Sequence, residues 1–202
     1  AAGVADCETL SNIFTPKFEA NPTDMVLINK IMKMLNRQEC EDGALYSKVA
    51  EQKYNLEPSA DAAHNLAKMF FKKKQFSKSK GYFEKSIALE EDVEVKAEIH
   101  FKLAIILLSE HKLVDSRKNA LAAIKNKPGW GQPYIVIGKC YAAGSKDFPG
   151  KVHEKQALYW VAVDKFMKAK SVDPECAAEA NKLIHTYSKY FPAKEEGFMQ
   201  GL

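Results

Sequence analysis

The residue types that perform hydrolytic and metal chemistry occur in this sequence without the spacing that such chemistry needs. His153 and Glu154 could begin a zinc-binding helix, but the second histidine would have to follow the first by four residues, and that residue is Ala157. One histidine cannot hold a metal ion by itself. The sequence also has no glycine-rich phosphate loop and no GxSxG nucleophile motif. We therefore expect no enzymatic activity, no metal site and no cofactor.

The four cysteines do not have metal-binding spacing either. Cys140 and Cys176 lie in apolar segments of helical periodicity, where a free cysteine behaves as a small buried hydrophobic residue. Cys7 and Cys40 lie in polar stretches at the boundaries of predicted elements. A disulfide between them would tie down the N-terminal segment in an oxidising compartment, and two free thiols are the alternative in a reducing one.

The charge pattern argues against nucleic acid as a partner. The chain of 202 residues has a net charge of +4, but of its 30 basic residues only Arg37 and Arg117 are arginine, the residue best suited to reading bases and clamping phosphates. Its longest apolar run, residues 157–163, is well short of the roughly 20 residues that span a membrane. We expect neither a nucleic-acid partner nor a membrane span.

Turn and cap residues divide the chain into segments of helical length that follow one another in pairs. The first clear helix start is predicted at Asn21 as the cap with Pro22 in the first helical position.

Three windows of the chain share an order of large and small residues, with a period of 34 residues between the second and third. Small residues at the eighth place allow two antiparallel helices to approach closely, and large residues fill the space around them. The first window begins at Ala60 and the second at Ala97, and their matching residues are Leu66, Ala67, Phe70, Ser79, Phe83 and Ser86, then Leu103, Ala104, Leu107, Ser116, Ala120 and Ala123. The third begins at Gly131, contains 12 extra residues, and matches at Tyr134, Ile137, Gly138, Tyr141, Ala162, Phe166, Ala169 and Pro174.

This pattern resembles the tetratricopeptide repeat. The resemblance implies an all-α solenoid of antiparallel helix pairs in a right-handed superhelix, closed by a C-terminal capping helix. The expected organisation is an N-terminal arm (1–20), a degenerate helix pair (21–58), two regular units (59–96 and 97–130), a unit with an insertion of about 12 residues (131–174), and a capping helix with a tail (175–202).

The C-terminal part is similar to a narrower group. The segments that carry this similarity are Tyr159–Phe166, Lys168–Pro174, Glu179–Ile184 and Tyr190–Pro192. They resemble the C-terminal region of an uncharacterised group of exported bacterial tetratricopeptide proteins. That resemblance implies a periplasmic or cell-envelope location, and a chain that is part of a longer protein.

The inward-facing places of each first helix form the expected concave binding face. Its candidate residues are His64, Lys68, Phe71, Phe101, Ile105, Leu108, Ile135 and Lys139. A partly apolar groove with lysines at its edges is typical of a non-catalytic scaffold that binds a protein or peptide partner, and two copies of the chain could also associate. In the alternative interpretation the groove is covered by missing neighbouring repeats, by the arm with Leu10, Ile13, Phe14 and Phe18, or by the tail with Phe191, Phe198, Met199 and Leu202. A purely structural segment of a longer repeat protein is the third possibility.

The insertion near residues 143–153 suggests a second kind of site. Phe148 lies within it, and Tyr159 and Trp160 follow closely in the sequence. Exposed, coplanar aromatic rings would favour capture of a glycan or small molecule, whereas a loop that only packs under the longer helix pair would have no such role.

Overall fold

The computed structural model describes residues 6–191, and all regular structure in that range is helical. These residues form ten α-helices and two 3-10 turns. The chain divides between Glu90 and Glu91 into two compact parts, which we call unit 1 and unit 2. The tail residues Phe198, Met199 and Leu202, considered above as a cover for the groove, lie outside the described range.

Unit 1 contains five helices. They are α1 (Cys7–Ala20), α2 (Met25–Arg37), α3 (Ala44–Leu56), α4 (Ala60–Lys72) and α5 (Phe76–Leu89). The segment predicted as an arm is therefore largely helical, and its side chains Leu10, Phe14 and Phe18 are buried in one cluster with Ile28 and Ile31 of α2. These three side chains form part of the core of unit 1.

A disulfide and a helix cap define the N-terminal helices. A disulfide joins Cys7, at the start of α1, to Cys40, shortly after α2. The prediction that Asn21 and Pro22 begin α2 is wrong, because Asn21 ends α1 and Asp24 is the cap of α2. The Asp24 carboxylate accepts hydrogen bonds from two of the first free backbone N–H groups of the helix, which is why the start lies three residues later.

Unit 2 contains the other five helices. They are α6 (Val93–Ser109), α7 (Leu113–Asn126), α8 (Gln132–Gly144), α9 (Val152–Val172) and α10 (Ala177–Tyr187), with 3-10 turns at Pro174–Cys176 and Ser188–Tyr190. Asp92 caps α6 through its carboxylate. No helix within residues 6–191 is long and apolar enough to cross a membrane.

The small residues of the repeat pattern lie where paired helices cross. Ala67 and Ala104 are fully buried, and each backbone carbonyl accepts a hydrogen bond from a serine of the following helix, Ser79 and Ser116 respectively. At the corresponding place in the third window, a Cβ atom on Gly138 would lie only 2.4 Å from the ring of Phe166. The pattern therefore positions the second helix of each pair directly against the backbone of the first.

Candidate functional site

The predicted concave-face residues of unit 1 lie on α4 and have different environments. Lys68 is exposed, as is Phe71, whose ring is tilted against that of Phe76 at a centroid distance of 5.8 Å. His64 is half-buried, and its ring lies 5.9 Å from the ring of Phe83. Lys68 and Phe71 are therefore accessible, whereas His64 is partly engaged in packing between α4 and α5.

Lys68 also lines an open groove that is formed entirely within unit 1. The groove has a volume of about 510 Å³ and lies between α2, α3 and α4. This volume is in the range of pockets that hold small ligands or short peptide segments. Its apolar lining includes Met32 on α2, Tyr46 and Tyr54 on α3, and Met69 on α4.

Charged residues line both ends of this groove. Glu41 and Asp42 line it just before α3 begins, and Lys53 lines it in the last turn of α3. With a rise of 1.5 Å per residue, the acidic residues and Lys53 are about 15 Å apart along the helix. The Lys53 ammonium donates a hydrogen bond to the Asn29 side-chain oxygen at 2.8 Å. Lys72, in the last turn of α4, also lines the groove, and the ammonium of the adjacent Lys73 lies 3.3 Å from the Gly43 carbonyl oxygen just before α3. The end with Glu41 and Asp42 is therefore of mixed charge, the end with Lys53 is basic, and exposed Lys68 lies on the α4 wall.

Tyr46 provides a neutral polar group in the groove wall. Burial and the nearby negative charge of Glu41 raise the pKa of the Tyr46 phenol, because both disfavour the phenolate. The hydroxyl therefore remains protonated over the physiological range and can donate a hydrogen bond in the groove.

The predicted residues of unit 2 that remain accessible lie on α6. Ile105 is 37% exposed, which is high for a large aliphatic side chain, and Leu108 is half-buried. Phe101 is half-buried against Trp130, with the ring centroids 4.6 Å apart. The Lys127 ammonium lies over the ring of Trp130, 5.5 Å from its centroid. This face is apolar, as predicted, but Phe101 already has an aromatic partner.

Two predicted binding residues on α8 are engaged by the C-terminal helix. Ile135 is only 1% exposed because it packs in one cluster with Phe166 and with Ala180 of α10, so the prediction that it lines an open face is wrong. The Lys139 ammonium is 2.8 Å from a carboxylate oxygen of Glu179 on α10. This contact lowers the pKa of Glu179. It also pairs the Lys139 ammonium, which was predicted to select a partner, with a carboxylate of the same chain.

The aromatic residues near the insertion do not form the predicted platform. Tyr159 stacks on Tyr187 and Tyr190, with ring centroids 5.9 and 5.0 Å away, and Trp160 meets Phe191 edge-on. Both rings pack against the C-terminal segment because that segment returns along α9, whereas Phe148 remains exposed in the loop.

The loop itself is tied to the preceding helix pair. His111 Nε2 and an Asp147 carboxylate oxygen lie 2.6 Å apart, on residues that are both exposed. This contact, together with the rings that pack on α9, favours the interpretation in which the insertion packs locally.

Most residues of the unit 1 groove are not among the predicted site residues. Met32, Tyr46 and Lys53 belong to the pair that was treated as degenerate, and Met69 directly follows Lys68. A usable signal was present, since Met32 and Met69 are large flexible side chains on the two helices that precede and follow α3. Among the described residues, no group of three or more histidine, cysteine, aspartate or glutamate side chains could hold a metal ion.

Comparison with solved structures identifies the fold. One crystal structure of MamA matches with a TM-score of 0.55 and 20% identity, covering 82% of each chain. A second MamA structure matches with a TM-score of 0.56 and 20% identity over 86% of this chain and 91% of that one. The chain has a tetratricopeptide-type helical-repeat fold. YrrB, described as a TPR protein with an unusual peptide-binding site, aligns over 93% of this chain and 97% of its own with 13% identity and a TM-score of 0.47. No family model and no curated protein matches the sequence.

Proposed function

We propose that this protein is a non-catalytic interaction module that binds a peptide segment of a partner protein in the groove of unit 1. The observation that carries the proposal is the groove of about 510 Å³ between α2, α3 and α4, which combines an apolar lining with charged ends. Helical-repeat folds bind their partners mainly on surfaces formed by successive helix pairs, and this groove has that origin.

The geometry of the groove defines the kind of peptide that fits. An extended chain advances about 3.4 Å per residue, so the distance of about 15 Å between the charged ends corresponds to roughly five residues. Met32 and Met69 would contact apolar side chains at the centre, where flexible thioethers adapt to different shapes. Lys53 would favour an anionic residue at one end, and Glu41, Asp42 and Lys72 together would favour a polar or dipolar group at the other.

A peptide selection tests this proposal. A phage-displayed library of random nine-residue peptides is selected on the intact chain, and the affinities of enriched peptides are measured by fluorescence anisotropy. Lys68→Glu should weaken binding about tenfold or more, because it reverses a charge on the groove wall. Lys30→Glu is the matched control, since Lys30 is an exposed lysine of α2 that does not line the groove.

The affinities for the two variants show whether the groove is the binding site. Peptides whose affinity falls with Lys68→Glu and not with Lys30→Glu would support the groove as the binding site. Peptides that bind both variants as tightly as the unaltered chain would place recognition elsewhere, and the absence of any enriched peptide would also contradict the proposal.

The proposal includes a location in the bacterial cell envelope. It is supported by the resemblance of the C-terminal segments to exported tetratricopeptide proteins and by the disulfide between Cys7 and Cys40, which is typical of oxidising compartments. Fractionation of bacterial cells that express the natural gene tests the location. Association of two copies stays a prediction, and sedimentation equilibrium of the purified chain tests it.

A further inference from the structure

The exposed face of α7 carries two large aliphatic side chains, and the proposed function does not use this face. Val114 is 70% exposed and Leu121 is 58% exposed. Arg117 and Lys118 lie between them, and the spacing of three, four and seven residues from Val114 places all four on one face of the helix. Single exposed aliphatic side chains are common on protein surfaces. Here Val114 and Leu121 lie on the same face of α7, one on each side of two basic side chains.

This face forms one wall of a groove that lies entirely within unit 2. The groove has a volume of about 600 Å³ and is also lined by Ile137 and Tyr141 of α8 and by Lys165 of α9. Ile137 is almost fully buried, so it forms a recessed floor, while Val114 and Leu121 rise beside it. The charged residues that line this groove, Arg117, Lys118 and Lys165, are all basic.

Arg117 is oriented by an aromatic contact. Its guanidinium carbon lies 4.8 Å from the centroid of the Tyr141 ring. Stacking on a ring uses the face of the guanidinium group and leaves the N–H donors at its edge, where they can bind a carboxylate.

We propose that this groove is a second docking site, which binds an acidic amphipathic helix of a partner protein. Two helical turns of the partner, about 10 Å long, would match the distance from Val114 to Leu121 along α7. Apolar residues at intervals of three and four would enter the recess, and aspartate or glutamate residues beside them would meet Arg117, Lys118 and Lys165. A recessed floor favours an inserted side chain over a flat lipid surface, which is contacted by protruding residues.

A library of helical peptides provides the test. Phage-displayed peptides with randomised apolar residues at intervals of three and four, and glutamate or alanine elsewhere, are selected on the intact chain. The affinities of enriched peptides are then measured for Val114→Glu and Val152→Glu. These two valines form a matched pair, because they are 70% and 71% exposed and each lies in the first turn of its helix, yet only Val114 lines the groove.

We expect Val114→Glu to weaken binding about tenfold or more and Val152→Glu to leave it within about twofold, since only the former removes apolar contact and adds repulsion in the groove. Equal affinities for the two variants, or no enriched peptide, would overturn the inference. So would binding of the chain to vesicles containing phosphatidylserine that is lost with Val114→Glu while no peptide binds. Lys68→Glu should leave binding of these peptides unchanged, which separates this site from the groove of unit 1.

Discussion

The Ser116 hydroxyl donates a hydrogen bond to the backbone carbonyl of Ala104 across the crossing of α6 and α7, with a distance of 2.7 Å. The same bond occurs between Ser79 and Ala67 in unit 1, at 2.8 Å. Each serine follows its alanine by 12 residues and is fully buried. The helix crossing thus brings each buried serine hydroxyl within hydrogen-bond distance of a backbone carbonyl of the preceding helix.

Removing this hydroxyl should measurably destabilise the protein. Ser116→Ala should lower the free energy of unfolding by about 1–2 kcal/mol, because it removes this bond, usually worth about 1 kcal/mol, and the bond that the hydroxyl accepts from the buried Cys140 thiol. Urea unfolding monitored by circular dichroism measures the change. Ser77→Ala, at an exposed serine of α5, is the control, and equal effects of the two substitutions would show that the bond contributes nothing.

Two glycines in helices should respond in opposite directions to the same substitution. A Cβ atom on Gly138 would lie 2.4 Å from the Phe166 ring and 2.9 Å from the Ala162 carbonyl oxygen. Gly138→Ala should therefore destabilise the chain by about 1–3 kcal/mol despite its better helix propensity. A Cβ on Gly81 would meet nothing within 4 Å, so Gly81→Ala should stabilise it by about 0.5–1 kcal/mol. Thermal and urea unfolding measure both, and a Gly138→Ala protein as stable as Gly81→Ala would contradict this account of packing.

The fold could be predicted from the sequence because helix crossings require small residues at fixed intervals. Ala67, Ala104 and Gly138 identify the crossings, and all three are buried in the structure. The hydrogen bond from Ser116 could not be predicted in this way, because the pattern requires only a small side chain at that place.

The candidate site was less predictable, because exposure depends on neighbours that are distant in the sequence. Ile135 and Lys139 occupy inward-facing places of their helix, but α10 follows about 40 residues later, where it packs in the cluster that buries Ile135 and pairs with Lys139 through Glu179. Conversely, Met32 and Lys53 belong to a helix pair with weak repeat signals, and only its packing against α4 makes them part of a groove.

The two unpaired thiols should be unreactive in the folded protein. Cys140 is buried, and burial raises the pKa of its thiol. The pKa of the Cys176 thiol is raised to about 11, mainly by burial and also by the nearby carboxylate of Asp173. Since the thiolate is the reactive form, Ellman's reagent at pH 8 should detect almost no thiol in the native chain and two thiols after unfolding without reductant. Four thiols after such unfolding would contradict the disulfide between Cys7 and Cys40.

Asp173 should make stability depend on pH. The backbone N–H of Gly131 donates a hydrogen bond to the Asp173 carboxylate at 2.9 Å, and the Cys176 thiol donates a second one. These bonds, mainly that from Gly131, lower the pKa of Asp173. A lowered pKa in the folded state means that the stabilisation is complete above about pH 4, the unfolded value, and is lost as the pH falls through the folded value.

Urea unfolding at several pH values tests this expectation. The difference in free energy of unfolding between the unaltered chain and Asp173→Ala should be largest near pH 7 and should shrink below about pH 4. Asp164→Ala, at an exposed aspartate of α9, should show no comparable trend. A difference for Asp173→Ala that is constant from neutral to acidic pH would show that the carboxylate charge is not involved.

The most direct test of peptide binding in unit 1 uses the methionine methyl groups as probes. Met32 and Met69 line the groove, whereas Met167 lies in unit 2. The chain is labelled with [methyl-¹³C]methionine, and two-dimensional NMR spectra are recorded while a peptide enriched in the nine-residue selection is added. We predict that the signals of Met32 and Met69 shift on binding while that of Met167 stays unchanged. A shift of Met167 alone, or binding that leaves the signals of Met32 and Met69 in place, would contradict the account.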